Sequence, residues 1–145
     1  MSRGVAAVRE PRHGLAWSPR RVAIRARYGT YMDSPAWFAR RERWLAEWHC
    51  AHGGRDPVCL VCGNTWSLSD GDLHHRSYQR IGHEDFRDLT PLCRRCHQAL
   101  HAVLDGQSSW RRLGRAFATD QIISLLRKQH TKGLRHDRHP PDRQP

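Results

Sequence analysis

Long apolar runs are missing from this chain. No stretch of eighteen apolar residues occurs among its 145, so no membrane-spanning helix is expected. The first thirty residues also lack the apolar centre of a secretory signal. They are rich in Arg, as a mitochondrial presequence is, but Pro11, Gly14, Pro19 and Gly29 interrupt any long amphipathic helix there. A cytoplasmic protein is therefore expected, with no membrane partner. Apolar residues make up only 38% of the chain, against a usual range of about 45–50% that also counts Gly. One small core with loosely held ends follows from that shortage. No internal repeat is present.

What is abundant is positive charge, +11 in all, and it lies on the flanks. Residues 1–32 carry seven Arg against one Glu, and residues 105–145 nine basic against four acidic side chains. The segments 33–58 and 59–104 are each balanced. Basic ends around a neutral centre suit a polyanion, because each phosphate neutralised releases counterions. A merely solubilising surface has the same composition.

The pattern along the chain predicts four segments. Residues 1–32 show no hydrophobic period and read as a basic, disordered arm. Met32 stands directly before a helix start, so either the arm is an addition or translation begins at Met32. Residues 33–104 read as the main domain. Ser34 followed by Pro35 is a helix cap with proline at the first helical position. Trp37, Trp44, Leu45 and Trp48 then recur at helical spacing, predicting a helix over 35–49 whose tryptophans face the core; stacking on bases is the other use of such a stripe. Gly53 and Gly54 end it. Short strands are expected at Trp66–Leu68 and Leu73–Arg76, an extended piece at Asp88–Leu92, and a helix from Arg94 to Leu104 that stops at Gly106. In residues 105–133, Ser108 or Ser109 caps a short helix through Phe117, and Thr119 caps a last one with Ile122, Ile123, Leu125 and Leu126 as its apolar face. Residues 134–145 have nothing to bury and read as a disordered tail.

Four of the five cysteines form two Cys-x-x-Cys pairs, Cys59/Cys62 and Cys93/Cys96. Without a secretory signal, paired thiols read as a zinc site rather than as disulfides. Four thiolates close the coordination sphere, so this zinc is structural, and it offsets the small core of the segment 57–104. Cys50 reads as incidental. Thirty residues, 63–92, separate the pairs, which leaves room for a strand-loop-strand insertion between the halves of the site.

Histidines gather in and after that insertion. His97 and His101 are four apart on the expected helix and share a face. Cys96 is about a hundred degrees round an ideal helix from His97, so zinc and the histidines can form separate sites on one helix. His74 and His75 are adjacent on an expected strand, and their side chains should point to opposite faces. One could then bind a metal while the other does something else. A surface histidine pair beside the zinc is the plainer alternative.

The stretch from Cys59 to His101 resembles the HNH endonuclease family. The matching residues are Cys59-x-x-Cys62, Leu73-His74-His75, Tyr78, Gly82, Glu84, Asp88-Leu89, Leu92-Cys93-x-x-Cys96-His97 and His101. Ser34-Pro35-x-Trp37 is similar to the helix that precedes many small bacterial and phage members. The resemblance implies a small α+β protein: a ββα-metal core stapled by the four-cysteine zinc site, with flanking helices. It implies His74, His97 and His101 as ligands of a divalent ion, His75 as general base, and Asp88 at the position of the family's middle asparagine, where an acceptor-only side chain can still hold the loop by taking backbone N–H bonds. Glu84 reads as structural, with a supporting role behind the histidines as the alternative.

Phosphodiester hydrolysis is the expected reaction, with DNA, double-stranded by default, as substrate, in a phage, mobile-element or defence setting. A neutral imidazole can take a proton from water near neutral pH. Three imidazoles suit Zn, Ni or Co by softness, while the resemblance also admits Mg and Mn. The competing expectation is a zinc-stabilised nucleic-acid-binding module, or an assembly subunit with little cleavage of its own. Target specificity, nicking against double-strand cutting, and oligomeric state are not readable from the sequence.

Overall fold

A computed structural model describes residues 19–137. It is a small α+β arrangement of five helices and one two-stranded sheet. Helix α1 (Pro19–Met32) leads into α2 (Pro35–Ala51) across a tight turn capped by Ser34, whose hydroxyl oxygen accepts the Trp37 N–H at 3.3 Å. The α2 helix ends at His52, and Gly53 and Gly54 follow with positive φ. Strand β1 (Gly71–His75) pairs antiparallel with β2 (Leu89–Cys93), in a register that sets His74 opposite Thr90 and His75 opposite Leu89. A 3-10 turn over Phe86–Asp88 feeds β2, and α3 (Arg94–Gly106) starts directly after it with Cys93 as its first cap. The short α4 (Ser108–Arg112) and the long α5 (Arg115–Asp137) complete the chain.

The sheet divides the apolar interior in two. On one face Trp37, Trp44, Trp66, Leu73 and Leu89 pack together. The other holds Leu92, Leu100, Leu104, Ala118, Ile122 and Ile123, with Cys59 and Cys96 among them. Alternation along β1 assigns its side chains to these two halves in turn. The α2 tryptophans are core, as their spacing predicts, with Trp37 and Trp44 both buried.

Several expected elements differ. The segment 19–32 is the helix α1 rather than part of a disordered arm: Tyr31 and Met32 pack against the tryptophan half of the core, a tertiary contact that no local period announces. Residues 1–18 lie outside the described residues. Trp66–Leu68 is not a strand. Only a single bridge joins Val58 and Thr65 there, and the Trp66 side chain turns inward to donate from Nε1 to the Asp72 carbonyl at 2.9 Å. Gly71 accommodates that ring, because a Cβ at Gly71 would lie 2.0 Å from Trp66 Nε1. Thr119 does not cap a last helix. The short helix stops at Arg112, Gly114 turns the chain with φ +83°, and α5 begins at Arg115, leaving Thr119 inside it and fully buried. The same helix continues to Asp137, past the expected start of the tail; residues 138–145 lie outside the described residues. Of its expected apolar face, Ile122 and Ile123 are buried and Leu126 packs at the edge, while Leu125 is exposed.

Candidate metal centre and histidine cluster

Two groups of metal-binding side chains lie on α3 and its neighbours. Cys59 and Cys62 come from the turn before β1, Cys93 ends β2, and Cys96 sits in the first turn of α3. Their four sulfurs all lie within 4.8 Å of one another. Burial pushes the Cys59 thiol up, but hydrogen bonds from the backbone of Cys62, Cys93 and Val61 outweigh it and hold the thiol below its ordinary value. Burial and the neighbouring thiols push Cys62 and Cys96 up instead, so four sulfurs this close favour thiolate together only around a cation.

The second group is His74, His97 and His101, whose ligand nitrogens also lie within 4.8 Å of one another. Each ring is anchored through one nitrogen. His97 Nδ1 meets Asp72 Oδ2 at 3.0 Å, and His101 Nδ1 meets Asp105 Oδ2 at 3.1 Å. Since a carboxylate only accepts, these nitrogens carry the proton and both Nε2 atoms are acceptors. His74 is held the other way round. Its Nε2 lies 3.1 Å from the Thr119 hydroxyl, and its Nδ1 is buried with no hydrogen-bond partner among the described residues. A buried imidazole nitrogen with no protein partner among the described residues, beside two imidazole acceptors, fits a divalent ion. Burial, aided by the nearby positive charge of Arg115, pushes the His74 imidazole down to about 2. Burial also lowers His97, against the opposing carboxylate of Asp72. Both rings are therefore neutral, as ligands must be.

His75 faces the tryptophan half of the core. Trp37 lies against its ring at 4.9 Å between centroids, and Tyr28 of α1 meets it edge-on at 5.5 Å. Its Nε2 is 3.0 Å from Glu84 Oε1, and its Nδ1 is buried with no partner among the described residues. Burial holds the imidazole below its ordinary value despite the neighbouring carboxylate. Glu84 is itself fixed: it accepts the Gly82 N–H at 3.0 Å and the Tyr31 hydroxyl at 2.9 Å, and Arg40 Nε donates to its carbonyl at 3.0 Å. Burial raises the Glu84 carboxyl, but the donors from Gly82, its own backbone, His75 and Tyr31 together hold it below its usual range.

Asp88 fastens the loop between the strands. It accepts the Asp85 N–H at 2.9 Å and both Nε and an Nη of Arg80, at 2.8 and 2.7 Å. Its own carbonyl takes the Arg76 N–H at 2.8 Å. Asp88 thus touches the backbone next to His75 and not the His75 ring, which Glu84 holds instead.

The structure brings together the four cysteines, and His74 with His97 and His101, but sets His75 on the opposite face of β1 from His74, outside both groups and with no bulge between the two histidines. Four supporting side chains were not singled out for the site: Asp72, Asp105, Thr119 and Tyr31. Asp72 was findable, since it stands two residues before His74 and shares its face. Thr119 and Tyr31 reach the site from helices forty or more residues away, and no local signal marks them.

Residues 59–102 match the family model described as HNH endonuclease. No curated protein and no solved structure matches the chain. The matched segment holds the sheet, α3, the four cysteines and the histidines; Tyr31, Trp37, Arg115 and Thr119 come from outside it.

Proposed function

We propose that the protein is a metal-dependent endonuclease that hydrolyses phosphodiester bonds in DNA. The observation that carries this reading is the division of labour among the histidines. Three imidazoles converge through orphaned or acceptor nitrogens, while a fourth, on the adjacent residue, is held by a carboxylate and presents a second orphaned nitrogen.

In this reading Glu84 fixes the proton of His75 on Nε2, and Nδ1 takes a proton from the attacking water as its oxygen bonds to phosphorus. The bond from phosphorus to the 3′-oxygen breaks, and that oxygen is protonated by solvent. His74, His97 and His101 would hold a divalent ion, which would supply Lewis-acid stabilisation of the charge that develops in hydrolysis. The chain's own task at that centre is to keep the three rings correctly turned, which Asp72, Asp105 and Thr119 do, while burial keeps His74 and His97 neutral. Asp88 and Arg80 hold the loop that presents Glu84.

The four-cysteine group would hold zinc. Cys62 and Cys93 sulfurs stand 3.8 Å apart, which is the edge of a tetrahedron with Zn–S bonds of about 2.3 Å. With four sulfurs filling its coordination sphere, that ion would be structural.

One observation favours a binding module with little cleavage: the His75 side chain has no exposed surface. Water reaches its Nδ1 only if the neighbouring aromatic rings shift. Supercoiled plasmid separates the readings. A nuclease converts it to nicked or linear forms with added Mg, Mn, Ni or Zn, and EDTA stops it. A binding module retards the plasmid in a gel without changing its form under any of the four ions.

A further inference from the structure

An open cavity of about 720 Å³ lies between α1, the segment after β1, and the α4–α5 turn, with no histidine in its lining. It is walled by Ile24, Tyr78, Leu113 and Phe117, with Arg76 and Arg115 also lining it. Ile24, Leu113 and Phe117 each expose more than half of their surface. Three of the seven large apolar side chains exposed among the described residues therefore meet at one opening, and such clustering marks a contact site.

Two of its walls touch His75. Arg115 donates from Nε to the His75 carbonyl at 2.9 Å, and its guanidinium lies 4.1 Å over the Tyr78 ring. Tyr78 in turn stands 6.2 Å from the His75 ring between centroids. Arg76, the next residue along, is tied to Asp120 of α5, which leaves Arg115 as the cation of the pair without a carboxylate partner among the described residues.

An apolar cavity with a cation on its wall matches one nucleotide: a π-face for the apolar walls and a phosphate for the guanidinium. Intact duplex does not offer that combination. Its base faces are stacked inside, and it presents only base edges and phosphates. A base reaches such a cavity when it is single-stranded or turned out of the stack.

We infer that this cavity receives one unpaired base of the substrate strand, adjacent to the bond that is cut. The inference rests on the nuclease reading and narrows its substrate to DNA with single-stranded, bulged or extrudable nucleotides. The arginine side chain takes the neighbouring phosphate, and the exposed ring of Phe117 stacks on the base, since the Tyr78 ring already carries the Arg115 guanidinium.

The test uses the full-length, zinc-loaded protein with no other divalent ion added. Affinity is measured for three DNAs of one sequence: a single strand, a perfect duplex, and a duplex with one bulged nucleotide. Wild type is compared with Phe117→Ser and with Leu113→Ser, both at exposed positions where folding is little at risk. Loss of one stacking contact predicts roughly 5- to 150-fold weaker binding of the single strand and the bulged duplex. Perfect duplex should change less than about twofold, since phosphate contacts dominate there. Equal affinity of variant and wild type for all three DNAs overturns the proposal, and is equally the result expected if residues 1–18 or a second copy fill the cavity. Equal losses on all three overturn it as well. Plasmid cleavage by wild type is read in parallel: cleavage without the base effect refutes the cavity alone, and no cleavage under any ion refutes the nuclease reading beneath it.

Discussion

The hydroxyl of Thr119, in the buried face of α5, lies 3.1 Å from Nε2 of His74 on β1, and no other hydrogen bond from the described residues holds that ring. The contact joins a helix outside the matched segment to the centre of the site. In the proposed site it occupies Nε2 of His74 and leaves Nδ1 for the ion.

Thr119→Val keeps the shape and removes the hydroxyl. Metal uptake by the histidine group should weaken by roughly 10- to 100-fold, the usual effect of losing a partner behind a ligand. Thr119→Ser should stay close to wild type. Isothermal titration of Ni or Mn into zinc-loaded protein reads this directly. Equal affinities for all three proteins would mean that packing alone sets the His74 ring.

For Glu84, the expected defect is in rate. Glu84→Gln can still hold the His75 ring but removes the charge that stabilises its protonated state. Cleavage should fall by about 10²-fold or more, within the range for a general base that has lost its support. Metal titration should be unchanged, because Glu84 contacts none of the three ligand histidines. Tyr31→Phe removes one donor to the same carboxylate and should give a smaller loss in the same direction. A Glu84→Gln variant that cuts as fast as wild type removes Glu84 from the account.

Cys93 both ends β2 and starts α3, so the proposed zinc site and the histidine helix depend on it together. Cys93→Ser should lose zinc and unfold or aggregate, since metal binding and folding are one equilibrium in such a small core. Zinc content by atomic absorption and helicity by circular dichroism should fall in step. A folded wild-type protein free of zinc would contradict this.

The ion pair of Asp88 with Arg80 gives a stability change with a definite sign. The Arg80 guanidinium, helped by the Asp85 N–H, holds the Asp88 carboxyl below its ordinary value, against burial. A depressed carboxyl stabilises the folded state above its unfolded value, about 3.9, and that contribution is lost as pH falls through the folded value. The stability gap between wild type and Asp88→Asn should therefore be full above about pH 4–5 and shrink below it. Denaturant melts at a series of pH values measure it. A gap that is constant with pH would show that the carboxylate charge is not what holds the loop.

The sequence carried the chemistry further than the architecture. Spacing within the two Cys-x-x-Cys pairs and between His97 and His101 is local geometry, and the structure keeps it: each set converges. The helix start at Ser34 was legible for the same reason, a cap being a contact over three residues. Illegible were the parts held by distant partners. The α1 helix has no clear apolar stripe and is fastened by Tyr28 against His75 and by Tyr31 against Glu84. Thr119 looked like a cap because Thr before an apolar run usually is one. Its burial against His74 is decided by a residue 45 positions earlier. Glu84 stands nine residues after His75 in a loop, where no periodicity assigns a direction.

The central claim is that neighbouring histidines on β1 have different tasks, His75 moving a proton and His74 holding the ion. Parallel metal titration and plasmid cleavage of His75→Ala and His97→Ala test it most directly. The account predicts that His75→Ala loses about 10²–10⁴-fold in cleavage rate while binding metal and DNA as wild type does, and that His97→Ala loses cleavage together with metal affinity. Rescue of His75→Ala by excess metal, with normal metal affinity in His97→Ala, would contradict it.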